Sequence, residues 1–221
     1  MKNAVIIVAG GTGSRMKSDG PKQFALLHEK PVIIYAIEKF LQFDPHIEIV
    51  VALRPEFVME FESISMKFKL PSLKIANGGE TRFHSVKNAL EKVSAEAGII
   101  AVHDAARPLV SLQTLQNTFN VAKKSGAAVP VIEINESLRE IDSMGSKAVN
   151  RKDYRIVQTP QCFQREILLD AYKQTYSPEF TDDASVAEAA GNKIHLTDGN
   201  VENIKITYSK DLILAASLLN E

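Results

Sequence analysis

Only one cysteine, Cys162, occurs among the 221 residues, so an intramolecular disulfide is excluded and the chain suits a reducing cytoplasm. Charge of one sign is not in excess either. The 26 Lys and Arg face 27 Asp and Glu, which leaves no long-range field to hold a nucleic acid or an anionic membrane. Any work on phosphates must then fall to a local cluster. Long apolar runs are also missing: the six residues from Ala4 to Ala9 are too few for the apolar part of a signal peptide and far too few to span a bilayer. A soluble, untargeted protein is expected. Without repeats, low-complexity tracts or a linker, residues 1–221 read as one domain. No Ser-His-Asp or Cys-His grouping is apparent, and histidines 28, 46, 84, 103 and 195 lack metal-ligand spacing, so no metal held by protein ligands is expected.

What is present is ordinary for a globular chain, with 45% hydrophobic and 24% charged residues. Short β-branched runs (Val5 to Val8, Ile47 to Leu53, Ile99 to His103, Ala127 to Ile132) alternate with amphipathic stretches. That rhythm predicts an α/β fold, a mostly parallel sheet with helices on both faces. In the third crossover Val86, Ala89, Leu90 and Val93 recur at helical spacing and form a core stripe. Residues 133–159 break the pattern. Two extended, charged runs flank the turn Ser143-Met144-Gly145-Ser146, which reads as a β-hairpin with no place in the main sheet: a projecting arm of the kind that serves a partner subunit. From Asp211 to Leu219 the helical character returns, and this segment is expected to pack back on the sheet.

Directly after the first run comes Ala9-Gly10-Gly11-Thr12-Gly13-Ser14-Arg15-Met16, with Pro21-Lys22-Gln23 close behind. Glycines let backbone N–H groups approach a polyphosphate, and Arg15 and Lys22 add two cations at the end of the sheet where α/β proteins bind ligands. The plainer alternative is a tight turn with solvated charges. A P-loop is excluded because no Gly-Lys-Ser/Thr follows the glycines. A dinucleotide site is the competing enzyme class: Gly11-Thr12-Gly13 opens a G-x-G-x-x-G, and Arg54 stands where an NADP phosphate would be met, but Met16 occupies the third glycine position. The pair Tyr35 and Lys39 has the spacing of a reductase acid, yet falls on the first crossover helix, too early in the chain for that role. A catalytically silent nucleotide-binding scaffold is the third class.

Further segments follow in order: Gly78-Gly79-Glu80-Thr81-Arg82 with Ser85, Val102-His103-Asp104-Ala105-Ala106-Arg107-Pro108, Gln158-Thr159-Pro160-Gln161, Thr181-Asp182-Asp183-Ala184-Ser185 and Asn203-Ile204-Lys205-Ile206-Thr207. With the glycine loop they resemble the 2-C-methyl-D-erythritol 4-phosphate cytidylyltransferase family, nucleotidyltransferases with a Rossmann-like fold. The resemblance implies that CTP is held by Ala9, Gly10, Gly11, Gly13, Arg15 and Lys22 at the triphosphate, and by Gly79, Glu80, Ser85, Asp104 and Ala105 at cytosine and ribose, with Lys205 also in the CTP site. It implies an acceptor, a small phosphorylated polyol, gripped by Asp104, Arg107, Thr181 and Lys205, with Ser137 and Arg151 reaching in from the arm of the other subunit of a homodimer. Glycine at position 10, where the family more often has alanine, is shared with ribitol-5-phosphate cytidylyltransferases, the nearest alternative.

The reaction so implied needs no general base, because the acceptor phosphate is already anionic. Arg15, Lys22 and Lys205 are the expected catalytic cations, helped by Mg²⁺ held mainly by CTP phosphates and water. The plainer alternative for Asp104 is a strand-end turn cap, and for Arg107 and Arg151 the default of surface arginines, above which only their place in the motifs raises them. His103, adjacent to Asp104 on a strand, points to the opposite face and is expected to be a core or supporting histidine.

Overall fold

The structure, a computed structural model, describes residues 2–11 and 21–219. Gly13 and Arg15 lie outside the described residues. In chain order the elements are β1 (Lys2–Val8), a small ribbon β2 (Leu26–Leu27) and β3 (Lys30–Pro31), α1 (Val32–Phe43), β4 (Glu48–Leu53), α2 (Val58–Lys67), β5 (Lys74–Asn77), α3 (Arg82–Leu90) and β6 (Ala97–Asp104). Next come α4 (Leu112–Ser125), β7 (Ala127–Ile132), β8 (Leu138–Asp142), β9 (Gly145–Val149), β10 (Ile156–Val157), β11 (Gln161–Gln164), α5 (Arg165–Ala171), α6 (Asp183–Ala189), β12 (His195–Asp198) and α7 (Ser209–Leu218).

β1 lies mid-sheet, parallel to β4 on one side and β6 on the other, and β4 continues in parallel to β5. β11 runs antiparallel between β6 and β7. β12 lies parallel along β7, and β10 pairs antiparallel with the far end of β7. Ala4 to Ile7 are fully buried because helices cover both faces, so the strand carries no polar alternation. Val5 and Ile7 face α1 and α4 through Ile33, Ile37, Phe40, Leu115 and Phe119. Ala4 and Ile6 face α3 and α5 through Phe83, Val86 and Leu168. Crossovers leave β1 toward β4 and later return to its other edge as β6, so the loops at the C-terminal ends of β1 and β6 diverge and open a crevice.

The α/β architecture follows the expected alternation of strands and helices, and Val86, Ala89, Leu90 and Val93 are all buried in one core face. Two boundaries differ from the sequence reading. The hairpin pairs only with itself, as β8 and β9, but the end of the 133–159 segment rejoins the sheet as β10, and Gln158 and Thr159 are buried. Their polarity hid them: both amide and hydroxyl are consumed by internal hydrogen bonds rather than by solvent. The last helix packs on Leu27, Val32, Ala106 and Ile206 through Ala215, against the β2–β3 ribbon rather than on the main sheet. Tyr35 has a structural task, donating its hydroxyl to the Leu27 carbonyl at 2.7 Å. Among the described residues no helix is long and apolar enough to cross a membrane.

Candidate functional site

At the crevice lies a cleft of about 590 Å³ lined by Gly10, Gly11, Lys22, Arg54, Gly78, Gly79, Glu80, Arg82, Ser85, Asp104 and Lys205, among others. Its glycine wall is built by close approach. A Cβ on Gly79 would sit 2.3 Å from the His84 Cβ, and one on Gly10 would sit 3.1 Å from the Ser85 hydroxyl. Ser85 itself is buried: its Oγ accepts from the Gly79 N–H at 3.0 Å and donates to the Thr81 carbonyl at 3.0 Å. Thr81 in turn caps α3, accepting from the His84 N–H, so the Gly78–Thr81 turn is tied down at both ends. Behind the other glycine stretch, Gln23 donates to the Ala9 carbonyl at 2.7 Å, and the Ala9 N–H reaches Ala52.

Facing the glycines is a carboxylate surrounded by cations. Asp104, at the end of β6, takes Lys205 Nζ on Oδ2 at 2.8 Å, with Arg107 Nε at 3.6 Å from the same oxygen and Arg82 Nε at 3.5 Å from Oδ1. Burial alone would push the Asp104 carboxyl up; Arg82, Lys205 and Arg107 outweigh it and hold the group well below the usual carboxylate range. Arg82 opens α3 and forks onto Asp183, the first residue of α6, at 2.8 and 2.6 Å. The Tyr172 hydroxyl adds a third bond to Asp183 at 2.7 Å. Burial opposes the Arg82 charge, but Asp183 and Asp104 reverse that and raise its pKa. Asp182 caps α6 through Ser185, and Gln161 clamps this turn by donating to Asp182 at 2.7 Å and accepting from the Ala184 N–H at 2.8 Å.

Of the residues expected to bind CTP, Gly10, Gly11, Lys22, Gly79, Glu80, Ser85, Asp104 and Lys205 share the cleft. Ala9 and Ala105 are buried directly beneath it, the Ala105 N–H bonded to the Val8 carbonyl at 3.1 Å. Arg107 stands behind Asp104 and donates to the Asn203 carbonyl at 2.7 Å. Thr181 is exposed and does not line this cleft. Ser137 and Arg151 lie exposed on the arm and do not line it either; the Arg151 guanidinium bonds the Asn135 carbonyl. Cys162 is in the core of β11, where burial raises its thiol pKa well above the ordinary value, so it offers no nucleophile. His103 is fully buried, as its position opposite Asp104 on the strand implied.

The Arg82–Asp183 pair escaped sequence reasoning although both residues sit inside the motifs quoted above. They are 101 positions apart, and only the packing of α3 beside α6 joins them. Arg54, weighed as a dinucleotide phosphate ligand, is instead paired with Glu56 at 2.6 Å on the rim.

Comparison with known proteins gives a consistent result. Residues 3–221 match the family model described as 2-C-methyl-D-erythritol 4-phosphate cytidylyltransferase. The Bacteroides thetaiotaomicron protein of that name is 45% identical over 99% of this chain and 100% of its own length. Its Clostridium acetobutylicum namesake is 38% identical over 99% of this chain and 98% of its own. The crystal structure of the Thermus thermophilus protein of the same name superposes with a TM-score of 0.79 at 30% identity, covering 100% of both chains. For fold alone, a synthase structure from Anaerococcus prevotii reaches a TM-score of 0.84 at 23% identity, over 100% of this chain and 99% of that one.

Two expectations follow from the buried charges. Replacing Arg82 with alanine leaves the Asp183 carboxylate, 0% exposed, without its cation, and should cost roughly 3–5 kcal/mol in urea denaturation. Burial holds the His103 imidazole at about 4, below its ordinary 6.5. The unfolded chain therefore binds a proton that the native chain refuses between those values. Stability from this residue is complete above pH ~6.5 and is lost as pH falls toward ~4, by up to about 3 kcal/mol. Denaturation midpoints measured across that range should slope less in a His103→Gln variant than in the parent.

Proposed function

The chain belongs to the 2-C-methyl-D-erythritol 4-phosphate cytidylyltransferase family, and we propose that CTP and the polyol phosphate meet in the cleft between the glycine wall and Asp104. The enzyme joins CTP and 2-C-methyl-D-erythritol 4-phosphate to give 4-diphosphocytidyl-2-C-methyl-D-erythritol and pyrophosphate. One observation carries the assignment of the site: the glycine turns and the Asp104 cluster, drawn from four separate stretches of sequence, line a single cleft.

Cytosine and ribose rest against Gly79, Glu80 and Ser85, where glycine at 10 and 79 lets the backbone close on Ser85 and His84 and so fixes the wall that a flat base meets. The triphosphate follows the Gly10–Gly11 turn toward Lys22, with Arg15 of the same loop as the second cation. The acceptor phosphate, largely dianionic at neutral pH, attacks the α-phosphorus. A new P–O bond forms, the bond to the bridging oxygen breaks, and pyrophosphate leaves with that electron pair. No proton has to be removed first. The barrier is the repulsion between two anions, and fixed cations lower it. Three cations and two carboxylates make up the Asp104 cluster, one positive charge in excess, so Lys205 can meet an anion at the cleft wall, backed by the Arg107 charge behind it, while Asp104 takes a polyol hydroxyl.

A divalent cation fits this donor set. Among the described residues no group of three or more His, Cys, Asp or Glu forms a cage, but Glu80 offers a hard oxygen ligand beside the expected phosphates, with Asp104, already facing three cations, near the ion or bound to it through water. Mg²⁺ bound there chiefly by CTP and water would neutralise phosphate charge. Both CTP and a free buried thiol suit a cytoplasmic enzyme. The arm exposes Ile141, Met144 and Tyr154, apolar surface that a second copy would cover, and this supports a homodimer whose arms exchange Ser137 and Arg151 between sites.

Pyrophosphate release measured with CTP and Mg²⁺ should be strong with methylerythritol phosphate, weak with ribitol phosphate and lost on chelation. A Lys22→Ala variant should fall roughly a hundred- to a thousand-fold in kcat; turnover at the parent rate would remove Lys22 from the mechanism. Arm exchange makes a separate prediction. Mixing Lys22→Ala with Arg151→Ala subunits rebuilds one intact site per mixed dimer, so about a quarter of parent activity should return by statistics of twofold assembly. No recovery on mixing would place Arg151 in its own subunit's site or in none.

A further inference from the structure

His103 lies below the floor of the cleft with no exposed surface, yet its ring is engaged at both nitrogens. Nε2 is 3.0 Å from the Arg107 carbonyl oxygen, which can only accept, so Nε2 carries the proton and Nδ1 is the acceptor. The Thr159 hydroxyl, 3.1 Å from Nδ1, therefore donates to it. That same hydroxyl oxygen accepts the Asp104 backbone N–H at 3.1 Å. From Arg107 the path continues outward: its guanidinium donates to the Asn203 carbonyl at 2.7 Å, and the Asn203 amide donates to the Thr159 carbonyl at 2.9 Å. The chain of bonds thus closes on itself, from His103 through Arg107, Asn203 and Thr159 back to His103.

We propose that His103 is a positioning residue for the acceptor: by closing this ring of hydrogen bonds it holds Asp104, Arg107 and Lys205 at fixed mutual distances. The three residues come from two places in the chain, the β6 turn and the 203–207 stretch, and the ring is what joins those places to the Gln158–Thr159 segment. Lys205 follows Asn203 by two positions, and the neighbouring Ile206 N–H bonds the Ala106 carbonyl at 2.8 Å inside the same turn. Phe40 packs edge-on against the imidazole at 5.1 Å between centroids, so the ring cannot swing away from Arg107 without vacating core space. An apolar residue at 103 would keep the core and open the ring of bonds, leaving the Arg107 carbonyl and the Thr159 hydroxyl each short of one partner.

The proposal rests on Asp104, Arg107 and Lys205 serving the acceptor and not the nucleotide, which the proposed function gives to the glycine wall and Lys22, and the test separates the positioning role from that assignment. Steady-state constants for both substrates are measured in the parent and in His103→Leu, His103→Asn, His103→Gln and Lys205→Met. Glutamine can place an N–H near Nε2 and keep the bond to Arg107, whereas asparagine reaches only the Nδ1 side. The Leu and Asn variants should raise KM for the polyol phosphate on the order of tenfold with KM for CTP within about threefold, and Gln should recover most of the loss. Thermal midpoints recorded alongside guard against a general loss of fold, since Gln and Asn variants of matched stability must still differ in acceptor KM. Equal effects on both substrates, or Gln no better than Asn, would overturn the positioning role. Should Lys205→Met, in which His103 is untouched, leave acceptor KM unchanged, the acceptor assignment fails, and this proposal with it.

Discussion

A carboxylate at the end of a buried strand, encircled by two guanidiniums and an ammonium, organises this molecule. Asp104 could not stay ionised at that depth on its own, and Arg82, Arg107 and Lys205 could not be brought so close together without it. Both arginines are also held by something else. Arg82 is forked onto Asp183, and Arg107 is bonded to the Asn203 carbonyl. The result is a rigid patch of modest positive charge in place of a set of mobile side chains. Electrostatic preorganisation of that kind suits a reaction between anions, because the donors need not rearrange as charge builds on the leaving group.

Around the patch, the fold works mainly by bringing backbones close. The Gly78–Gly79 turn passes so near α3 that a single methyl group would meet His84, and Ser85 spends its hydroxyl on fixing that turn. Such a wall selects by shape and by backbone hydrogen bonding, complementing the charge selection on the opposite side. The two walls come from opposite edges of β1, which is why the crevice falls where β4 and β6 part company.

Most of this organisation was legible in the chain. Uninterrupted β-branched runs announced the strands that are buried on both faces, and the glycine and Asp104 motifs announced the cleft. What stayed hidden shares a physical character. β5, β11 and β12 are only four residues long and carry polar residues, since pairing at their neighbours' edges, not their own burial pattern, makes them strands. Gln158 and Thr159 fall at the end of the segment that reads as a projecting arm, but they and Gln161 are buried with hydrogen bonds met inside. The partnership of Arg82 with Asp183 depends on two helices meeting, which no local pattern encodes.

That partnership bears on the order in which the molecule is made. A growing chain that has emerged as far as residue 180 already holds the glycine turns, Arg82, Asp104 and Arg107, yet it has neither the acid that anchors Arg82 nor the lysine that closes on Asp104. The glycine wall can thus assemble during synthesis while the charged wall waits for the final forty or so residues. The ion cluster is completed last, so an unfinished chain carries a half-built cleft with Asp104 short of its ammonium and Arg82 short of its anchor.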